Sequence, residues 1–188
     1  MVMKKFLNKP ENIADEVLEG LAGAYCDKIA LAGNRIVVRA VAKRADKVAV
    51  ITMGGGGHEP ALSGFVGEGM LDASVVGDVF AAPNAVSVLT ALRKFREYAG
   101  ILLVVLNHAG DVMSANMALK MAAREGINGK SILVSDDISA GLDTPKADRR
   151  GLAGSIAVIK VAGAAAEAGL GLDEVLAVAE KFNSRIAT

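Results

Sequence analysis

Apolar residues in this chain fall into short unbroken runs separated by stretches in which they recur every three or four positions. The runs lie at 35–39, 47–52, 74–80, 101–106 and 131–135, are rich in Val and Ile, and are continuous rather than alternating. Continuity over so few residues predicts strands buried on both faces, as in a parallel sheet covered by helices. Between and after the runs, three-to-four spacing predicts helices at 84–98, 112–124, 152–168 and 172–186. A first helix is expected over 10–24, where Ile13, Val17, Leu18 and Leu21 share a face, with Asn8 as its cap and Glu11 three residues on. Strand and helix alternate, so the expected fold is α/β: a mainly parallel sheet flanked by helices, in a single domain over 1–188.

The length of 188 residues supports one well-buried core. Hydrophobic residues make up 52% and charged residues 22%, with 21 basic against 21 acidic side chains. That balance excludes a disordered chain and a polybasic nucleic-acid binder. One cysteine, Cys26, rules out an internal disulfide framework, and with only two histidines no Cys/His structural zinc site can form. The start, Met1 to Asn8, has lysines but no signal-length apolar run, and Gly100 to Leu106 is far shorter than the roughly 20 residues of a membrane helix. A cytoplasmic protein with no membrane partner is expected.

In a parallel sheet, ligands collect beyond the carboxyl ends of the strands, so the residues after each run are where chemistry belongs. The first such loop runs Met53-Gly54-Gly55-Gly56-Gly57-His58-Glu59-Pro60. Four glycines in a row lose much chain entropy on ordering, and they permit close backbone approach to a ligand or a flexible turn. His58 tips the balance toward a site, because an imidazole relays protons near neutral pH. Glu59 and Pro60 read as the start of a following helix. The second loop, Asn107-His108-Ala109-Gly110-Asp111, offers an amide, an imidazole and a carboxylate; Asp111 reads equally as a general base and as a helix cap.

Other segments are weaker. Asp78 after the third run reads as structural, and Asp136-Asp137 as a solvated acidic pair. Arg149-Arg150 reads as a solvated helix entry and Cys26 as a packed or idle thiol. Met113, Met117 and Met121, four apart, read as core. Gly129-Lys130-Ser131 imitates the end of a phosphate loop, but Arg124 stands where that motif needs glycine.

Taken in order, Lys4 to Leu7, Asp15 to Leu21, Ile36 to Arg39, Gly54 to Pro60, Gly64 to Leu71, Gly77 to Phe80, Asn107 with Gly110-Asp111, Asp136-Asp137 and Arg149 to Gly154 resemble the substrate-binding subunit of the dihydroxyacetone (glycerone) kinases, along essentially the whole chain. The resemblance implies that His58 and the glycine loop, through Gly55, Gly56 and Gly57, hold a small ketose, and that Asn107 lies beside it. It implies that Asp111 deprotonates the attacking hydroxyl. It assigns no metal or cofactor to this chain: ATP with magnesium, or a phosphorylated partner subunit, acts from another. A companion chain with the second domain, which carries the histidine that binds the ketone as a hemiaminal, and a helical nucleotide-binding subunit are the implied partners, in a homo-oligomer or heteromer. The sequence would then be one half of a split subunit or a piece of a whole one. It departs from the family pattern at Met53 and Gly56, which replace a glycine and a serine, and at Leu106 and His108, which replace a lysine and a tyrosine. A ketose-sensing regulatory domain derived from the kinase is the alternative. Either role requires His58 and Asp111 to converge at one rim of the sheet.

Overall fold

The protein is described from a computed structural model covering residues 4–33 and 35–188; Met1 to Met3 of the N-terminal reading lie outside the described residues. Among the described residues, one sheet of six strands is flanked by five α-helices. The strands are β1 (Ile29–Leu31), β2 (Ile36–Arg39), β3 (Val48–Gly56), β4 (Ala73–Val79), β5 (Gly100–Leu106) and β6 (Gly129–Val134). The helices are α1 (Ile13–Ala24), α2 (Ala85–Lys94), α3 (Ala109–Arg124), α4 (Gly154–Glu167) and α5 (Leu172–Asn183). The spatial order is β1-β2-β4-β3-β5-β6. The β4, β3, β5 and β6 neighbours pair in parallel, while β1 and β2 form an antiparallel margin on β4.

The unbroken apolar runs are explained by two cores, one on each face. Val48, Val50, Leu102 and Val104 meet Val158, Ile159 and Ala162 of α4 and Val175 of α5. Ala49, Ile51, Met53, Ile101, Leu103 and Val105, the alternate positions, meet Val88, Leu89 and Leu92 of α2 and Ala115 and Ala118 of α3. Each fully buried Val, Leu or Ile adds about 1.5–3 kcal/mol, so β3 and β5 are the rigid centre from which the loops project.

Several local expectations are corrected. Asn8 caps no helix; its amide hydrogen-bonds Glu16 Oε2 at 2.9 Å, and Asn12 precedes α1. Glu59-Pro60 opens no α-helix. The segment from β3 to β4 holds only a short 3-10 helix, Ser63–Phe65, because Gly64, Gly67 and Gly69 each weaken a longer one. Met113 and Met117 lie exposed on α3, and only Met121 packs against the core. Asp136 and Asp137 are buried rather than solvated. Cys26 is exposed, and Lys130 lies on β6 paired with Asp173. Asp78 is bound by Arg35, which also holds Asp15 at 2.6 Å, in keeping with a structural part. At the opposite end of the sheet, buried Lys43 meets Asp72 at 2.7 Å, and Arg39 bridges Asp72 and Glu167. No helix among the described residues is long and apolar enough to cross a membrane.

Candidate functional site

From β3 the chain passes to β4 on one side, then crosses by α2 to β5 on the other. The carboxyl ends of β3 and β5 therefore flank a point where the winding reverses, which opens a crevice in doubly wound sheets. A cavity of about 450 Å³ lies there. Its wall comes from four places: Met53, Gly54, Gly55 and His58 at the end of β3, Ala61, Leu62 and Phe65 in the segment that follows, Leu106, His108 and Asp111 after β5, and Gly151 to Ala153 with Ser155 and Ile156 at the start of α4.

β3 continues through the glycine run to Gly56 with an irregular register against β4. A side chain at Gly55 would sit 2.7 Å from Ala81 N, so the β3 end and the turn after β4 are in backbone contact there. Gly57 has φ +88°, a conformation glycine adopts without strain. Gly56 differs: a Cβ there would meet Val76, Gly77 and Ala14 at 3.6–3.9 Å, ordinary packing distances. Gly55→Ala is accordingly expected to lower the melting temperature, whereas Gly56→Ser should leave it within about 2 °C, as a change below 0.5 kcal/mol does. A thermal melt of both variants checks this, and equal losses would contradict the assignment of the tight contact to Gly55.

His58 lies exposed at the rim, its ring edge-on to Phe80 at 5.0 Å. Its Nδ1 is 3.1 Å from Gly55 O, and since a carbonyl only accepts, Nδ1 carries the proton. In that tautomer Nε2 is bare. His108 has the other arrangement: its Nε2 donates to Gly151 O at 2.9 Å, leaving Nδ1.

Asp111 occupies the first turn of α3 and is 9% exposed. Its Oδ1 is buried with no hydrogen-bond partner among the described residues. Burial raises its pKa above the ordinary carboxylate value, while positive charge on His108, its own backbone amide and charge on His58 act in the opposite direction. An unpartnered buried carboxylate oxygen in a cavity beside two imidazoles is unusual enough to mark a functional group.

Of the residues singled out from sequence, Gly55, His58 and Asp111 line this cavity, whereas Gly56, Gly57 and Asn107 are not among its walls. The Asn107 amide instead donates to Ala147 O and Arg149 O at 2.9 and 2.7 Å, clipping the segment before α4 onto the end of β5. A side chain at Gly151 would sit 2.7 Å from Asn107 N, so only glycine permits that approach. Sequence reasoning missed the α4 wall and the part His108 plays in holding it. The Gly151-Leu152-Ala153-Gly154 segment was visible, but nothing local shows that it folds over β5. Asp136 fastens the same wall: Oδ1 accepts from Leu152 N and Oδ2 from Gly154 N, both at 2.8 Å, and Oδ2 also binds the Thr188 hydroxyl. Asp137 is held by Arg150, with Arg150 Nε at 2.9 Å, and accepts from Ser139 N at 2.8 Å.

Comparison with known proteins shows the family and the fold. Residues 19–188 match the model of the Dak1 domain. The chain is 41% identical over 187 residues to the dihydroxyacetone-binding subunit DhaK of PTS-dependent dihydroxyacetone kinase 1 from Listeria innocua, covering 99% of this chain and 56% of that one. It superposes with a TM-score of 0.90 and 40% identity on the dihydroxyacetone kinase of C. freundii in complex with AMP-PNP and Mg2+, over 97% of this chain and 34% of that one. A dihydroxyacetone kinase operon co-activator, Dha-DhaQ, is also similar, with a TM-score of 0.82 and 34% identity over 88% of this chain and 51% of that one. The chain thus spans about half the length of its Listeria relative and about a third of the C. freundii kinase.

Proposed function

From the chain's membership of the Dak1 domain family we propose that it is the substrate-binding component of a dihydroxyacetone-type kinase, with its site completed by protein outside this sequence. The observation that carries the reading is the unpartnered Asp111 oxygen in the same cavity as His58, at the point where the sheet reverses its winding.

On this reading the ketose lies between the two turns. His58 Nε2 accepts a hydrogen bond from a substrate hydroxyl and orients it, and the Gly55 backbone allows close approach. Asp111 Oδ1 takes the proton of the attacking hydroxyl as its oxygen bonds to phosphorus and the bond from phosphorus to the donor breaks. Phosphoryl transfer asks mainly for positioning and charge stabilisation, and a hydroxyl held this way has its proton acceptor in place. Asn107, from its hydrogen bonds, supports the wall rather than the substrate. The phosphate donor, ATP with magnesium or a phosphorylated subunit, is assigned to another subunit, and the second domain with its hemiaminal histidine lies outside this sequence. A cytoplasmic location and an oligomeric or heteromeric assembly belong to the same reading.

Purified chain combined with the family's second domain and a nucleotide-binding subunit should phosphorylate dihydroxyacetone. Omitting the chain should abolish the reaction. Phosphorylation by this chain with ATP alone would overturn the proposed division of labour. The similarity to an operon co-activator supports a second reading, in which the same cavity senses a ketose and signals to a partner.

A further inference from the structure

Phe80, the first residue after β4, is 72% exposed and holds φ +56°. Left-handed backbone of this kind suits glycine or asparagine, and a bulky L residue is strained in it. With so little of the ring buried, core packing does not account for the strain. Such strain persists where surrounding contacts hold it, and it collects at functional sites.

The ring of Phe80 touches the candidate site. Its plane meets the His58 imidazole at 71° with centroids 5.0 Å apart, a favourable separation for aromatic edge contacts. It also lies across Gly57, where a Cβ would stand 3.1 Å from Phe80 Cε1. The backbone is tied to the same turn: Phe80 N donates to Gly56 O at 2.9 Å, Ala81 N donates to Asp78 O at 3.1 Å, and Arg35 binds the Asp78 carboxylate. The four residues before His58 are glycines, with no side chains to pack against its ring. The hydrogen bond from His58 Nδ1 to Gly55 O is a single point about which an imidazole still pivots, and a second contact on the ring removes that freedom.

Resting on the ketose-site reading above, we infer that Phe80 is a positioning residue for His58: its ring fixes the imidazole with Nδ1 on Gly55 O, so that Nε2 keeps one place and one tautomer for the substrate hydroxyl. Phe80 is not among the cavity walls, and it acts on the ketose only through His58.

Phe80→Gly and Phe80→Tyr, set beside the parent, test this. In the full chain with labelled histidine, NMR at pH 8, where free imidazole is neutral, reads the His58 tautomer from long-range proton–nitrogen couplings and its χ1 rotamer from the Hα–Hβ couplings. The parent should show one rotamer with the proton on Nδ1, and Phe80→Gly should show averaged rotamers and mixed tautomers. In the reconstituted kinase, kcat/KM for dihydroxyacetone should fall about three- to tenfold in Phe80→Gly, the factor that an aromatic pair is worth, and Phe80→Tyr, which keeps the ring, should restore most of it. Phe80→Gly should nevertheless melt within about 3 °C of the parent, because glycine adopts the left-handed turn without strain. A His58 ring that stays fixed in Phe80→Gly, an unchanged kcat/KM, no restoration by tyrosine, or a larger fall in melting temperature overturns the inference and leaves the ketose site standing. Absence of turnover by the parent assembly overturns the ketose-site reading, and the His58 spectra then still decide whether Phe80 holds the ring.

Discussion

Replacing Asp111 with asparagine should cut phosphoryl transfer in the reconstituted kinase by about 10²- to 10⁴-fold, the usual worth of a general base, while ketone binding stays near its original strength. The same variant should be more stable than the parent. Burial raises the folded-state pKa of Asp111, so the fold favours the protonated form; stability gained from that form is present at low pH and is lost as pH rises through the folded pKa. At neutral pH the buried, unpartnered oxygen is a net cost. Removing its charge should recover about 1 kcal/mol, or about 2–4 °C in melting temperature for a domain of this size. The gain should shrink as pH falls toward the unfolded carboxylate value of about 3.9. Activity lost together with stability would make Asp111 a structural residue. In a ketose sensor, signalling should persist in the variant almost unchanged, so the experiment also separates the two functional readings.

Asp136→Ala should have the largest effect on stability, about 2–4 kcal/mol from the donors left without an acceptor, lowering the melting temperature by about 10 °C. Asp136 is fully buried, yet its two oxygens accept from Leu152 N, Gly154 N and Thr188 Oγ1. Burial alone would raise its pKa, and these hydrogen bonds outweigh it and lower it. The pH dependence is therefore opposite to that of Asp111. Its stabilisation is present above the unfolded carboxylate value and is lost as pH falls through the folded pKa, so Asp136 should contribute to acid unfolding. The change leaves the buried Gly154 amide and the part-buried Leu152 amide at the entrance of α4 without their acceptor. Ketone binding should also weaken, because Leu152 and Ile156 belong to the wall those amides position. Melts of parent and variant at pH 7 and below pH 3, with a ketone titration at pH 7, measure both effects, the difference between the two proteins narrowing at the lower pH. A loss below about 1 kcal/mol would mean that this wall does not depend on Asp136.

Sequence reasoning located the strand-end loops and recognised His58 and Asp111, but gave Asp136-Asp137 the opposite environment. The difference is physical. His58 and Asp111 follow strands whose burial is legible from unbroken apolar runs, and the carboxyl ends of parallel strands are a general place for ligands. The environment of Asp136 depends on Leu152 and Gly154, which are 16 and 18 residues away along the chain. A carboxylate whose partners are backbone amides has no side-chain pattern to betray it. Met113 and Met117 show the converse: a spacing of four predicts a shared helix face, and only packing decides which face is covered.

The amino-acid sequence by itself determined the α/β alternation, the two-faced burial of the central strands, the glycine turn with its imidazole and the family resemblance, because each is written in local periodicity or contiguous motif. Tertiary structure alone decided that β1 and β2 run antiparallel at the margin, that β3 extends to Gly56, and that Asn107, His108 and Asp136 hold the α4 wall over the cavity. Those features rest on contacts between residues distant along the chain, where a backbone group meets another backbone group or a far side chain, and a backbone carries the same amide whatever its own side chain.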